Sequence, residues 1–142
     1  NREAAITEYL EPAQMLPAPG QGSLAIEATN SLAQRDPDLH KALSNLDDFF
    51  THVAVDAERA VLNALEAGCT APVGALATVT PAPSELKAES EIHLQAMTAA
   101  VDGSQMIRMS ITGNASQADE LGRDLAALLL EAGAADLLGE HE

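Results

Sequence analysis

The sequence predicts an α+β fold: a small three-stranded antiparallel sheet with helices on one face, preceded by a helix end, a proline-rich linker and a short strand. Three observations carry this reading. Apolar residues recur at three- and four-residue steps from Phe50 to Leu65, they alternate with a period of two in three runs between Val73 and Thr112, and a helical stripe returns from Leu121 to Ala132. Half-polar strands of this kind belong to an antiparallel sheet covered on one side, and the helices on either side in sequence supply the cover.

Taken in order, Ala5, Ile6, Tyr9 and Leu10 form a short apolar pattern that stops at Pro12, so the first residues read as a helix remnant. Pro17 and Pro19 then impose an extended linker. Gly20 to Ala28 reads as a turn followed by a strand at Ser23–Glu27. Asp36 before Pro37 is a helix start, because the carboxylate can cap free N–H groups and proline wastes no donor at the first helical position. Leu39, Ala42, Leu43 and Leu46 mark the face of that helix. A second helix, from about Thr51, carries Val53, Ala57, Ala60, Val61, Ala64 and Leu65 and is expected to end at Gly68. Val73, Ala75, Ala77 and Val79 then point one way along a strand. Ile92, Leu94 and Ala96 do so on a second, and a turn at Asp102-Gly103 leads to a third with Ile107, Met109 and Ile111. The hairpin is expected to keep one face wet. Ser116 to Asp119 resembles a capping box opening a last helix, with Leu121, Leu125, Leu128, Leu129 and Ala132 as its stripe and Gly133 as its stop.

Composition narrows the function. Apolar residues make up 46% of the 142 residues but aromatics only 2%, so the core must be aliphatic. Twenty-two acidic residues against seven basic ones give a formal charge of −15, which repels phosphate backbones and anionic lipid, so neither nucleic acid nor membrane is an expected partner. A single cysteine forms no internal disulfide, and with no apolar run long enough to span a bilayer the expected location is cytoplasmic. The opening residues Asn-Arg-Glu suggest a fragment of a longer protein.

Most candidate sites do not stand. Gly20-Gln21-Gly22-Ser23-Leu24-Ala25 fits the loose dinucleotide fingerprint, yet prolines precede it and a strand-like run follows, where the fingerprint needs a strand and then a helix. His40, His52, His93 and His141 lack the spacing of zinc ligands, so no metal site is expected. The runs Asp47-Asp48 and Glu140 to Glu142 read as solvated surface, and no serine nucleophile motif occurs. Cys69 remains. Free cysteines are usually buried and inert. This one follows a helix C-terminus, whose partial negative charge opposes thiolate formation, so it suits a single capture of a strong carbon electrophile better than repeated turnover. Gly68 and the small flanking residues leave room for a bulky attached group.

Glu58-Arg59-Ala60-Val61, Leu65 and Gly68-Cys69-Thr70-Ala71-Pro72-Val73-Gly74 together resemble the cofactor-attachment signature of the porphobilinogen deaminase (hydroxymethylbilane synthase) family. Leu16-Pro17-Ala18-Pro19-Gly20-Gln21-Gly22-Ser23-Leu24-Ala25-Ile26-Glu27 resembles a second stretch of the same family, in family order and at a family-like separation. Ala67 and Ala71 depart from it, standing where the family carries a second glycine or other small residue and a β-branched residue.

The resemblance implies an enzyme that joins porphobilinogen units head to tail, with loss of ammonia, into a linear tetrapyrrole. It implies a dipyrromethane cofactor held by a thioether to Cys69, with Gly68 in the attachment loop, and a supporting polar contact from Gln21 on the cleft side. Residues 1–48 would be a remnant of preceding domains and 49–142 the C-terminal, cofactor-carrying domain. The resemblance also implies that the catalytic aspartate and the arginines that bind pyrrole carboxylates lie in domains absent here; Arg35, Arg59 and Arg123 are too few and too dispersed to imply a polycarboxylate cleft. No catalytic residue is therefore expected in this chain, which alone should be inactive, with Cys69 a free thiol and the cofactor absent. The orphaned strand at Ser23–Glu27 would pair with another copy or fold onto the sheet. A competing reading is a non-enzymatic α+β regulatory or interaction module with an incidental buried cysteine. It leaves the coincidence of two ordered motifs unexplained.

Overall fold

The computed structural model describes residues 2–66, 68, 71–83 and 86–138. Its α-helices and strands follow the order α1 (Leu32–Arg35), α2 (Pro37–Ser44), α3 (Phe49–Ala64), β1 (Val73–Thr80), β2 (Glu91–Ala99), β3 (Met106–Asn114), α4 (Ala118–Glu131) and α5 (Ala134–Leu138). The α+β class and the three-stranded antiparallel sheet are as the sequence predicts, with strand order β1-β2-β3. Ala75 faces Ala96 across the first ladder and Leu94 faces Ile111 across the second.

Alternation places Ala75, Ala77, Ile92, Leu94 and Ala96 on one face of the sheet, where they join Ala57 and Val61 of α3 and Leu121, Leu125 and Leu129 of α4 in one aliphatic core. The two helices approach closely because α4 carries Gly122 at the crossing, where a methyl group would come within 2.5 Å of both the Ala57 carbonyl oxygen and Ala60 Cβ. Helix starts are set by carboxylates. Asp36 Oδ1 accepts the Leu39 N–H at 3.0 Å, and Asp48 Oδ1 accepts the Thr51 N–H and hydroxyl, both at 2.8 Å. Those bonds, the backbone one first, hold the Asp48 carboxyl below its usual range. His52 in the first turn of α3 lies 2.8 Å from Asp47, a contact that, together with Asp56, raises its pKa.

Several expectations are corrected. The helix remnant at the start is only a 3-10 turn at Glu3–Ala5. Ser23–Glu27 forms no strand, and its Leu24 is 99% exposed. At β1, the edge nearest the linker, the outward amides are already engaged: the Ala75 N–H donates to Pro17 O at 2.9 Å and the Ala77 N–H to Glu58 Oε1 at 2.8 Å. The second helix ends at Ala64, earlier than Gly68, and the left-handed residue after it is Glu66, with φ of 50°. Asn114, not Ser116, supplies a side-chain cap, and it caps a 3-10 turn at Ala115–Gln117 by accepting the Ser116 N–H at 2.9 Å; α4 follows from Ala118 with no side-chain cap of its own. Leu128 faces outward at 41% exposure. Gly133 does end α4, with φ of 98°, but α5 follows it and buries Ala134. The proline-interrupted α1 and the short α5 lack the length that makes a periodic pattern visible.

The second face of the sheet is not simply wet. Residues 12–17 of the linker cross it, burying Leu16 to 5% exposure over Gly74, so closely that a methyl on Gly74 would meet Leu16 Cβ at 2.9 Å. Arg108 on β3 holds the same segment through its carbonyls, donating to Ala13 O at 2.7 Å and to Pro12 O at 3.1 Å, with a further bond to Gln95 at 2.8 Å. Thr98 is wholly buried on the helix-covered face, and its hydroxyl has no hydrogen-bond partner among the described residues. Thr98→Val keeps the shape and removes that desolvated hydroxyl, so it is expected to stabilise the domain by about 1 kcal/mol. Urea denaturation reads this as a higher midpoint with an unchanged slope, and a lowered midpoint would contradict it.

Candidate functional site

The loop joining α3 to β1 is fixed at both ends. Leu65 is buried in the core at its start. At its far end the Ala71 N–H donates to Gly68 O at 3.0 Å, and Pro72 O accepts the Ala99 N–H of β2 at 3.1 Å. Gly68 is exposed, and a methyl placed on it would meet no heavy atom within 4 Å. Cys69, with Ala67 and Thr70, lies outside the described residues.

Gln21 is exposed and turned onto its own loop: its Oε1 accepts the Ala18 N–H at 3.2 Å, while its N–H donates to Ala18 O at 3.0 Å. The neighbouring Gly20, with φ of 75°, donates its N–H to Glu58 Oε2 at 2.7 Å. Glu58 is therefore the residue that sequence reasoning left without a role. It is 6% exposed on α3, and its two carboxylate oxygens accept one N–H from the linker turn and one from β1. The signal was present: Glu58 interrupts the helical series Ala54, Val61, Leu65 with a carboxylate on the apolar side. Arg108 also escaped the reading of the arginines as ligands, and its guanidinium is occupied by the linker carbonyls and Gln95.

The dispersed cations do not converge in the fold. Arg123 pairs with Asp119 at 2.6 Å, and Arg59 lines a shallow, open cleft of about 440 Å³ between α3 and α4 together with Asp56, Asn63 and Asp119. Among the described residues no three His, Cys, Asp or Glu side chains are grouped as metal ligands, and no helix is long and apolar enough to cross a membrane.

A three-stranded antiparallel sheet packed against α3 and α4, with a loop rich in small residues leading into its first strand, defines an α+β domain. Residues 52–131 match the family model for the porphobilinogen deaminase C-terminal domain. The chain is 53% identical over 140 residues to porphobilinogen deaminase of Nocardia farcinica, covering 98% of this chain and 39% of that protein. It is 48% identical over 141 residues to porphobilinogen deaminase 1 of Streptomyces avermitilis, covering 96% of this chain and 41% of the relative. It is also 48% identical to porphobilinogen deaminase of Mycolicibacterium gilvum, covering 99% of this chain and 44% of the relative. The chain belongs to the porphobilinogen deaminase family. It spans about two fifths of the length of these relatives.

Proposed function

We propose that this chain is the C-terminal, cofactor-carrying part of a transferase that joins porphobilinogen units head to tail into the linear tetrapyrrole hydroxymethylbilane, with release of ammonia. The observation that carries the proposal is the pairing of its two family-like stretches in space. Gly20 of the first is hydrogen-bonded to Glu58 of the second, so residues far apart in sequence form one structural unit.

In this reading Cys69 holds a dipyrromethane through a thioether, and the bound group supplies the pyrrole end from which the chain grows. The residues of this domain act as a carrier. Leu65 and the Pro72–Ala99 bond fix the roots of the loop, and Gly68 keeps the space beside the tether open. Porphobilinogen and the lengthening oligopyrrole are the partners, with their carboxylates bound by the remainder of the enzyme. A net charge of −15 makes this domain a poor host for such anions.

The division of labour has a direct consequence. The purified chain supplied with porphobilinogen is expected to form no tetrapyrrole, while the full-length enzyme does so under the same conditions. Tetrapyrrole absorbance developing with the chain alone would overturn the assignment of catalysis to the rest of the protein.

A further inference from the structure

We propose that Glu58 is a positioning residue that registers the Gln21 turn against α3 and β1, the two elements between which the Cys69 segment runs in sequence. The proposal rests on the reading of Cys69 as the tether and extends it to a second, buried residue.

Its basis is geometric. Glu58 sits on α3, the element that leads into the loop, and its Oε1 accepts the Ala77 N–H of β1, the element that leads out of it, at 2.8 Å. Its Oε2 accepts the Gly20 N–H at 2.7 Å. One carboxylate thus ties together α3, β1 and the linker turn that carries Gln21. A carboxylate suits this place because both partners are donors and it has only acceptors to offer. At 6% exposure, water does not readily replace either bond.

The linker is seated independently of Glu58 further upstream, by Leu16 over Gly74 and by Arg108 on the carbonyls of Pro12 and Ala13. Glu58 is the last of these fastenings, beside the turn itself. Beyond it, residues 24–28 have no regular secondary structure and make no backbone hydrogen bond to the sheet among the described residues. Loss of the Glu58 bond therefore frees the turn while leaving the linker on the sheet.

Glu58→Gln tests this. Glutamine has the same shape but one acceptor oxygen, and its amide would place a donor against one of the two N–H groups. In the full-length enzyme, hydrogen exchange followed by mass spectrometry is expected to show at least about tenfold faster exchange at Gly20 or Ala77, with β2 amides such as Leu94 and Ala96 still protected. Turnover should fall at least about tenfold, with KM for porphobilinogen unchanged and with Cys69 still loaded by intact mass. Glu58→Asp, which keeps both acceptors on a shorter stem, should restore part of the turnover. Unchanged exchange at both amides, or faster exchange with turnover intact, would overturn the proposal. So would a loss of protection in β2, which would make Glu58 a folding residue only. A Cys69→Ser enzyme with full activity would instead refute the tether, whatever Glu58→Gln does to exchange.

Discussion

Replacing Cys69 with serine in the full-length enzyme is expected to reduce tetrapyrrole formation to the level of a protein-free control, with the fold intact. The change in volume is small, so stability gives no reason for the loss. Chemistry does. A serine hydroxyl is a weak nucleophile at neutral pH unless a base activates it, whereas a thiol has some thiolate present and is intrinsically far more nucleophilic. Among the described residues of the loop, Glu66, Gly68, Ala71 and Pro72, only Glu66 is ionisable. Serine would therefore fail to capture the electrophile, and chain growth would have no starting point. The check is absorbance after oxidation of the products, alongside circular dichroism. A fully active serine variant would favour an interaction module with an incidental cysteine.

Gly122→Ala is expected to have the largest effect on stability, a loss of about 2 kcal/mol or more. The new methyl would lie 2.5 Å from the Ala57 carbonyl oxygen, 2.5 Å from Ala60 Cβ and 3.1 Å from the Val61 amide nitrogen. Two of these are backbone atoms of α3, which cannot turn aside as a side chain can. The helices must separate, loosening Leu125 and Leu129 over the sheet. Alanine's helix propensity, better than glycine's by about 1 kcal/mol, offsets only part of that cost. Gly113→Ala is a useful contrast, because its close neighbours at 2.7 and 2.9 Å are the ends of the Leu121 side chain, which can change rotamer. Thermal denaturation should rank Gly122→Ala well below Gly113→Ala, and an equal or reversed ranking would show that α3 and α4 tolerate separation.

The parts legible in the sequence were those with a sustained period. The stripe from Val53 to Leu65 gave α3, and the alternation through Ile92, Leu94 and Ala96 gave the central strand with its buried face. Asp36-Pro37 gave a helix start through local chemistry alone. Ser23–Glu27 misled because alternation states only that a segment could be a strand, whereas pairing depends on a free edge, and at β1 Glu58 and Pro17 engage the outward amides. The cap expected at Ser116 gives way to Asn114 at the 3-10 turn ahead of α4, because both side chains can accept a backbone N–H and the course of β3 into the turn decides which is in place.

At the candidate site, Gly68 and Cys69 were singled out by their setting and family resemblance, and Cys69 lies outside the described residues, while Glu58 and Arg108 were not assigned the linker contacts they make. Their partners are backbone groups of the linker, and a backbone N–H or carbonyl leaves no mark in a sequence. Gln21 drew notice by residue type, but the fixed point of its turn is the Gly20 amide beside it.

The central claim, that Cys69 is the covalent tether, is tested most directly by the mass of the Cys69 peptide from the active full-length enzyme. The account predicts that this peptide carries a dipyrromethane. An unmodified Cys69 in enzyme that turns over porphobilinogen would contradict it.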